Sequence, residues 1–298
     1  MPSPSNREVN FGQFLKEKHN EKLVGMGSVI FGPNGQMLTG GYQAESKTGV
    51  DLSPALLFDA NLARPPSESS LPGEGPVAFV DAETPVQLVL PSRDRNNLVL
   101  WNVTKNLKLA EIPLPDTFHT VEHIAAALSN DGRLAAVSAT QLPDQDGQRT
   151  GETILWSLDP KTPGASGRKL SSWPRPASAL AFSPDTHYLA AGTVTGSVSL
   201  HDAATGKELF ALDDSRLPIL SLAFGRNFKK DATDKPRLAP GGLPGWMLAI
   251  GTDSGTATVW DLETKNRVNI FRGAAFYVNA LAFSPDGSKL GHLTASVR

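Results

Sequence analysis

Two stretches of this chain, Leu189–Leu212 (LAAGTVTGSVSLHDAATGKELFAL) and Leu248–Phe271 (LAIGTDSGTATVWDLETKNRVNIF), align without a gap at an offset of 59 residues. Gly192-Thr193 falls on Gly251-Thr252, Gly196 on Gly255, and Asp202 on Asp261. Within Trp246–Phe271 the apolar residues form three short runs, Met247–Gly251, Ala257–Asp261 and Val268–Phe271. Gly, Asp, Ser and Asn separate the runs, which is the pattern of antiparallel hairpins. An isolated meander of this kind would expose its edges. A repeated one has neighbours to pack on.

Upstream of both stretches lies a further shared segment. Ser178–Asp185 (SALAFSPD) recurs as Asn279–Asp286 (NALAFSPD), and Leu220–Gly225 (LSLAFG) is a shorter relative. Ala125–Gly132 with Leu134–Ala139 and Thr153–Asp159 is a weaker copy. Val77–Val80 with Asn97–Val103, and Ser28–Gly35 with Ala55–Ala60, are weaker still. The residues closing the first run of each unit are Phe31, Phe79, Leu128, Phe182, Phe224 and Phe283, at steps between 42 and 59 residues. Four short strands recurring at roughly 40–50 residues is the signature of a β-propeller blade.

The segments Phe182-Ser183-Pro184-Asp185, Phe283-Ser284-Pro285-Asp286-Gly287 and Val259-Trp260-Asp261 resemble the WD-repeat family, over roughly residues 24–298. The resemblance implies an all-β fold, a β-propeller of four-stranded antiparallel blades, with five recognisable blades and a partial sixth. It implies structural roles in the blades for Trp101, Trp156, Asp202, Trp260 and Asp261. His201 stands where the family has Trp, Asn102 and Ser157 follow Trp101 and Trp156 where Asp is usual, and Phe58-Asp59 replaces Trp-Asp. The Gly-His pair that precedes the family's first strand is missing before residues 178, 220 and 279. Blade packing here therefore leans on apolar contacts.

Taken in order, residues 1–22 are a polar N-terminal segment, with Phe11–His19 readable as a short helix or Val9–Phe11 as a lent strand. The propeller spans 23–298, with blades at about 24–63, 77–114, 121–173, 177–212, 219–271 and an incomplete one at 278–298. Pro65-Pro66 and Ser67–Gly75 read as a connector, and Arg226–Gly245 as a surface loop. Because the last unit stops after two strands and a propeller avoids open edges by closing its ring, the expectation is an N-terminal portion of a longer protein, or an open arc. An effector domain in the same longer chain is part of that expectation.

Composition narrows the function classes. The chain has 298 residues, 40% of them hydrophobic and 19% charged, with a net charge of −2 and no cysteine. Absent cysteine removes disulfides, thiolate catalysis and thiolate metal sites. The charge balance carries no footprint for nucleic acid. No apolar run of membrane-spanning length and no secretory signal is visible, so the expectation is no membrane partner and a cytoplasmic location.

No catalytic or metal constellation assembles in the sequence, and no cofactor is expected. His119 and His123 stand four apart, but in an extended connector that spacing is roughly 13 Å and cannot share one ion. Asp213-Asp214, and Asp144 with Asp146, read as turn carboxylates, and Asp144–Gly147 lacks the downstream ligands of a calcium loop. The distinctive feature is the loop between second and third strands, which in the family opens on the top face. Blades one to three place Lys47, Asp51, Arg93, Asp94, Arg95, Asp144, Asp146 and Arg149 there, whereas blades four and five have only short turns. The leading expectation is a non-catalytic scaffold binding a protein or peptide through those loops. The alternative is a propeller enzyme, either a metal-dependent lactonase-like hydrolase or a quinoprotein-type dehydrogenase. The small apolar first strands argue against an axial metal.

Overall fold

The computed structural model describes residues 22–26, 29–31, 36–40, 42–46, 49–52, 54–59, 67–72, 75–81, 83–89, 97–115, 118, 121–142, 144–145, 150–213, 216–227, 241–272, 277–284 and 287–295. Among them every regular element is a strand. The Phe11–His19 segment and most of the Arg226–Gly245 loop lie outside the described residues.

Four of the sheets hold four antiparallel strands each, a fifth holds four antiparallel strands and one short parallel strand, and a sixth holds two among the described residues. Blade four shows the plan: Ala179–Phe182, Tyr188–Gly192, Ser197–Asp202 and Glu208–Asp213, paired in sequence order. Blade five repeats it with Ile219–Arg226, Trp246–Thr252, Ala257–Asp261 and Asn266–Phe271. This is a β-propeller.

Two elements go beyond the runs read from sequence. Ser67–Pro72, expected as part of a connector, is the fourth strand of blade one and pairs with Pro54–Phe58. An outer strand pairs on one side only, so selection for apolar alternation is weak there. Between the second and third strands of that blade, Tyr42–Ser46 and Gly49–Leu52 form a separate three-stranded sheet with Lys22–Met26.

The core lies between blades. Leu38, Ala55, Val77 and Phe79 join blades one and two. Leu88, Leu100, Ile112, Val137 and Trp156 join two and three. Ala136, Leu155 and Leu189 join three and four, and Val198, Leu200, Ile219 and Leu248 join four and five. The second strands are consequently dry on both faces, as in Leu134–Gln141 and Pro85–Val89. Each fully buried leucine or isoleucine here contributes about 1.5–3 kcal/mol by leaving water.

At the seams the backbones come close enough to require glycine. A Cβ on Gly192 would sit 2.6 Å from Cγ2 of Ile219 in the next blade. At the aligned position, a Cβ on Gly251 would lie 2.4 Å from the Ser221 hydroxyl and 2.9 Å from the Val278 carbonyl of blade six. Ser178 donates its hydroxyl to the Ile219 carbonyl at 2.7 Å, and Ser221 does the same to Val278 at 2.7 Å. The two seams are thus built alike. Overpacking a close contact costs about 1–3 kcal/mol. Gly251→Ala is expected to lose stability in that range by urea unfolding, since a backbone carbonyl cannot swing aside; an unchanged midpoint would contradict the seam geometry.

Candidate functional site

The turns that shape the blade ends are held by short polar side chains. In the first turn of blade four, the Ser183 hydroxyl donates to Asp185 and accepts from the Tyr188 amide at 2.9 Å, while Asp185 also accepts from the His187 amide. Blade three repeats the arrangement with Ser129, Asp131 and the Leu134 and Arg133 amides, at 2.7, 2.9 and 3.1 Å respectively. Serine with a carboxylate two residues on mimics a backbone turn, which is why the S-x-D pattern recurs.

The third strands of blades two to five each end in a matched pair. Trp101, Trp156, His201 and Trp260 occupy the same register, each beside a bulge in the fourth strand. Asn102, Asp202 and Asp261 follow and cap the next turn. Asp202 accepts from the Thr205 amide and hydroxyl at 2.8 and 2.6 Å, and the hydroxyl bond in particular holds its carboxyl below the usual range. Asp261 accepts from the Glu263 and Thr264 amides. The indole N–H groups of Trp101 and Trp156 are buried with no acceptor among the described residues. An unpartnered buried donor costs about 1–3 kcal/mol.

His201 differs from Trp101 and Trp156 by having a partner at each ring nitrogen. It stacks on Trp173 of blade three with ring centroids 4.3 Å apart, and its Nδ1 and Nε2 lie 3.0 Å from the Gly206 carbonyl and 2.9 Å from the Ser199 hydroxyl. Neutral imidazole suits both partners, donating from Nδ1 and accepting at Nε2.

Of the loop residues read from sequence, Lys47, Arg93, Asp94, Arg95, Asp146 and Arg149 lie outside the described residues. Asp51 belongs to Gly49–Leu52, opposite Ala44 in the small sheet. Asp144 is exposed after the second strand of blade three, near the point where Thr150 donates to the Gln141 side chain. The loops of blades four and five are tight turns closed by hydroxyls: Thr193 with Thr195 at 2.9 Å, and Thr252 with Ser254 at 3.0 Å.

Two concave features accompany these loops. A channel of about 670 Å³ runs among the first strands, lined mainly by small apolar groups such as Ala125, Ala179, Ala181 and Ala282, with His123 and Asn279 among the polar ones. No cluster of three or more potential metal ligands occurs among the described residues. The second feature, a groove of about 710 Å³, lies where the link from blade three meets the outer strand of blade four, between Pro174, Pro176 and Val194 on one side and Ala211 and Asp213 on the other. Sequence reading missed this groove. Its signal was the small Ala211 aligned with Ile270.

Residues 167–202, from the outer strand of blade three through the third strand of blade four, match the family model described as WD domain, G-beta repeat. The chain is 25% identical over 206 residues to WD repeat-containing protein SL1-17 of Schistosoma mansoni, covering 68% of this chain and 57% of that protein. It is 31% identical over 129 residues to the small ribosomal subunit proteins RACK1y and RACK1z of Oryza sativa subsp. japonica, covering 40% of this chain and 33% of each. One blade-length segment of the chain matches a WD repeat, and the chain is similar to proteins of that name. The matched part thus spans between a third and somewhat over half of those relatives' lengths. Among the described residues, no helix is long and apolar enough to cross a membrane.

Burial removes His201 from water and depresses its pKa below the ordinary 6.5, against the Gly206 hydrogen bond and Glu208, which raise it; Arg175 lowers it further. The unfolded chain therefore binds this proton first. Stability from the neutral ring is complete above pH 6.5 and declines as the pH falls from there through the folded-state value. Between about pH 7.5 and about pH 5.5, the denaturation midpoint of the wild type is expected to fall further than that of His201→Gln; parallel declines would show that His201 carries no such dependence.

Proposed function

We propose that this chain is a non-catalytic interaction scaffold that holds a protein or peptide partner through the top-face loops of blades one to three. The observation that supports it most is the contrast between loops on one fold. Blades four and five join second to third strand by short hydroxyl-closed turns, while blades one to three carry longer segments bearing Lys47, Asp51, Arg93, Asp94, Arg95, Asp144, Asp146 and Arg149. Variable loops on a rigid frame are where recognition concentrates. The channel lining of small apolar side chains favours binding over chemistry, since acid–base or metal catalysis needs converging polar groups. Two of the relatives are by name small ribosomal subunit proteins, and a place within a larger assembly suits this reading.

Charges at an interface rim act mainly on specificity and encounter rate. Arg93 and Arg95, flanking Asp94, are the residues on which this reading rests most heavily. An Arg93→Ala/Arg95→Ala variant is expected to keep the wild-type melting temperature and to lose at least one partner in quantitative co-purification. Recovery of the same proteins in the same amounts by both forms would remove the top-face loops from the account.

A further inference from the structure

The outer strand of blade two, Leu107–Pro113, is not the edge of its sheet. Ala165–Ser166, from the turn between the third and fourth strands of blade three, lies parallel to it. The Gly164 amide donates to the Leu109 carbonyl and the Gly167 amide to the Glu111 carbonyl, both at 2.9 Å. Gly167 is needed for the approach, because a Cβ there would sit 2.8 Å from the Ile112 side chain. Leu109, the extra residue at the fourth-strand bulge, is thereby only 4% exposed.

Blade four has the same strand and the same bulge without the cover. Glu208–Asp213 ends its sheet, and the counterparts of Leu109 and Glu111 are Leu209 and Ala211. The matching turn of blade five, Leu262–Lys265, is too short to reach over as a strand; its Lys265 ammonium instead sits 4.1 Å above the Phe210 ring. Leu209 is left 39% exposed. Beside this edge lies the groove bounded by Pro174, Pro176, Val194 and Ala211. Blade five has Ile270 and Thr256 where blade four has Ala211 and Ser197, so the small residues open this seam.

Charge selects among extended segments. Glu208 and Asp213 both line the groove with a single cation, Arg175. Arg175 meets Glu208 at 3.7 Å with both side chains about half exposed, a loose pair worth little. At the places of Glu208 and Asp213, blade five carries Arg267 and Arg272, so the two edges favour opposite partners.

We propose that the outer edge of blade four binds an extended polypeptide segment by parallel strand addition, as blade two takes up Ala165–Ser166, with a basic residue of the segment reaching Asp213. Backbone hydrogen bonds to Leu209 and Ala211 give affinity, and the groove and Asp213 give selectivity. Leu209, Ala211 and Asp213 are not among the loop residues of blades one to three.

The test is fluorescence polarisation of the full chain with a labelled, blocked Gly-Arg-Val-Thr-Val-Arg-Gly peptide. Ala211→Pro removes the donor on the outward side of the strand, where a proline is tolerated, and is expected to weaken binding at least about tenfold. Asp213→Lys, an exposed change that leaves folding intact, is expected to weaken it by a similar factor, with wild-type binding falling as salt rises. Should Ala211→Pro fail to fold, Asp213→Lys decides. No binding up to about 1 mM peptide, a threshold of about 4 kcal/mol, overturns the proposal, as does wild-type affinity in either folded variant. Dimerisation of the chain that is lost in Ala211→Pro, without peptide binding, also overturns it, assigning the edge to a second copy.

Discussion

In blades two to five the inner strands are dry on both faces, and the molecule depends on how closely those faces approach. A sheet that packs on one side only can alternate apolar and polar residues; these second strands cannot, and residues 135–140 and Pro85–Val89 are buried throughout. Face-to-face sheets normally sit about 10 Å apart, and near the channel the wedge shape of a blade demands closer approach. Glycine and serine meet that demand at Gly192, Gly251, Ser178 and Ser221. The bulky residues, Leu200, Leu248 and Ile154 among them, fill the wider part of each wedge and are fully buried.

Moving outward along a blade, burial is lost and polarity changes character. The third strand ends in Trp101, Trp156, His201 or Trp260, and the fourth strand answers with a bulge whose extra residue is Leu109, Leu170, Leu209 or Val268. A bulge twists the strand and interrupts its ladder, so the outer edge is a poor template for indiscriminate pairing. In blade two, where the chain covers the edge itself, the aliphatic residue is buried; in blades four and five Leu209 and Val268 stand in the open, and Leu170 of blade three is partly buried against Leu155 and Leu189. The same repeated device is protected in one blade and available in another.

How much of this was legible in the sequence follows from the same gradient. The gapless match between Leu189–Leu212 and Leu248–Phe271 carried the strand plan of blades four and five, because inner strands are buried on both sides and tolerate little change. Phe182-Ser183-Pro184-Asp185 was readable because Ser183 and Asp185 each satisfy backbone amides that nothing else reaches. Ser67–Pro72 was not, since this outer strand, SESSLP, carries no apolar alternation. Ala165–Ser166 was hidden for a different reason: two small residues between glycines look like a turn, and only the neighbouring strand of blade two makes them a strand. The groove beside Ala211 exists because a side chain is small, and an absence of bulk leaves no motif. The charged loop positions of blades one to three lie almost wholly outside the described residues, so they stand on the sequence alone.

The central claim is that stability is graded across each blade and repeated from blade to blade, with the seams as the shared support. Native-state hydrogen–deuterium exchange resolved by peptide tests this most directly, because protection reports the free energy of local opening. The account predicts slow exchange in the second strands Leu134–Gln141, Tyr188–Gly192 and Trp246–Thr252 and faster exchange in the outer strands Glu208–Asp213 and Asn266–Phe271, with Leu107–Pro113, covered by Ala165–Ser166, protected beyond those two. Uniform protection across all four strands of a blade, or an outer strand of blade two exchanging as fast as those of blades four and five, would contradict it.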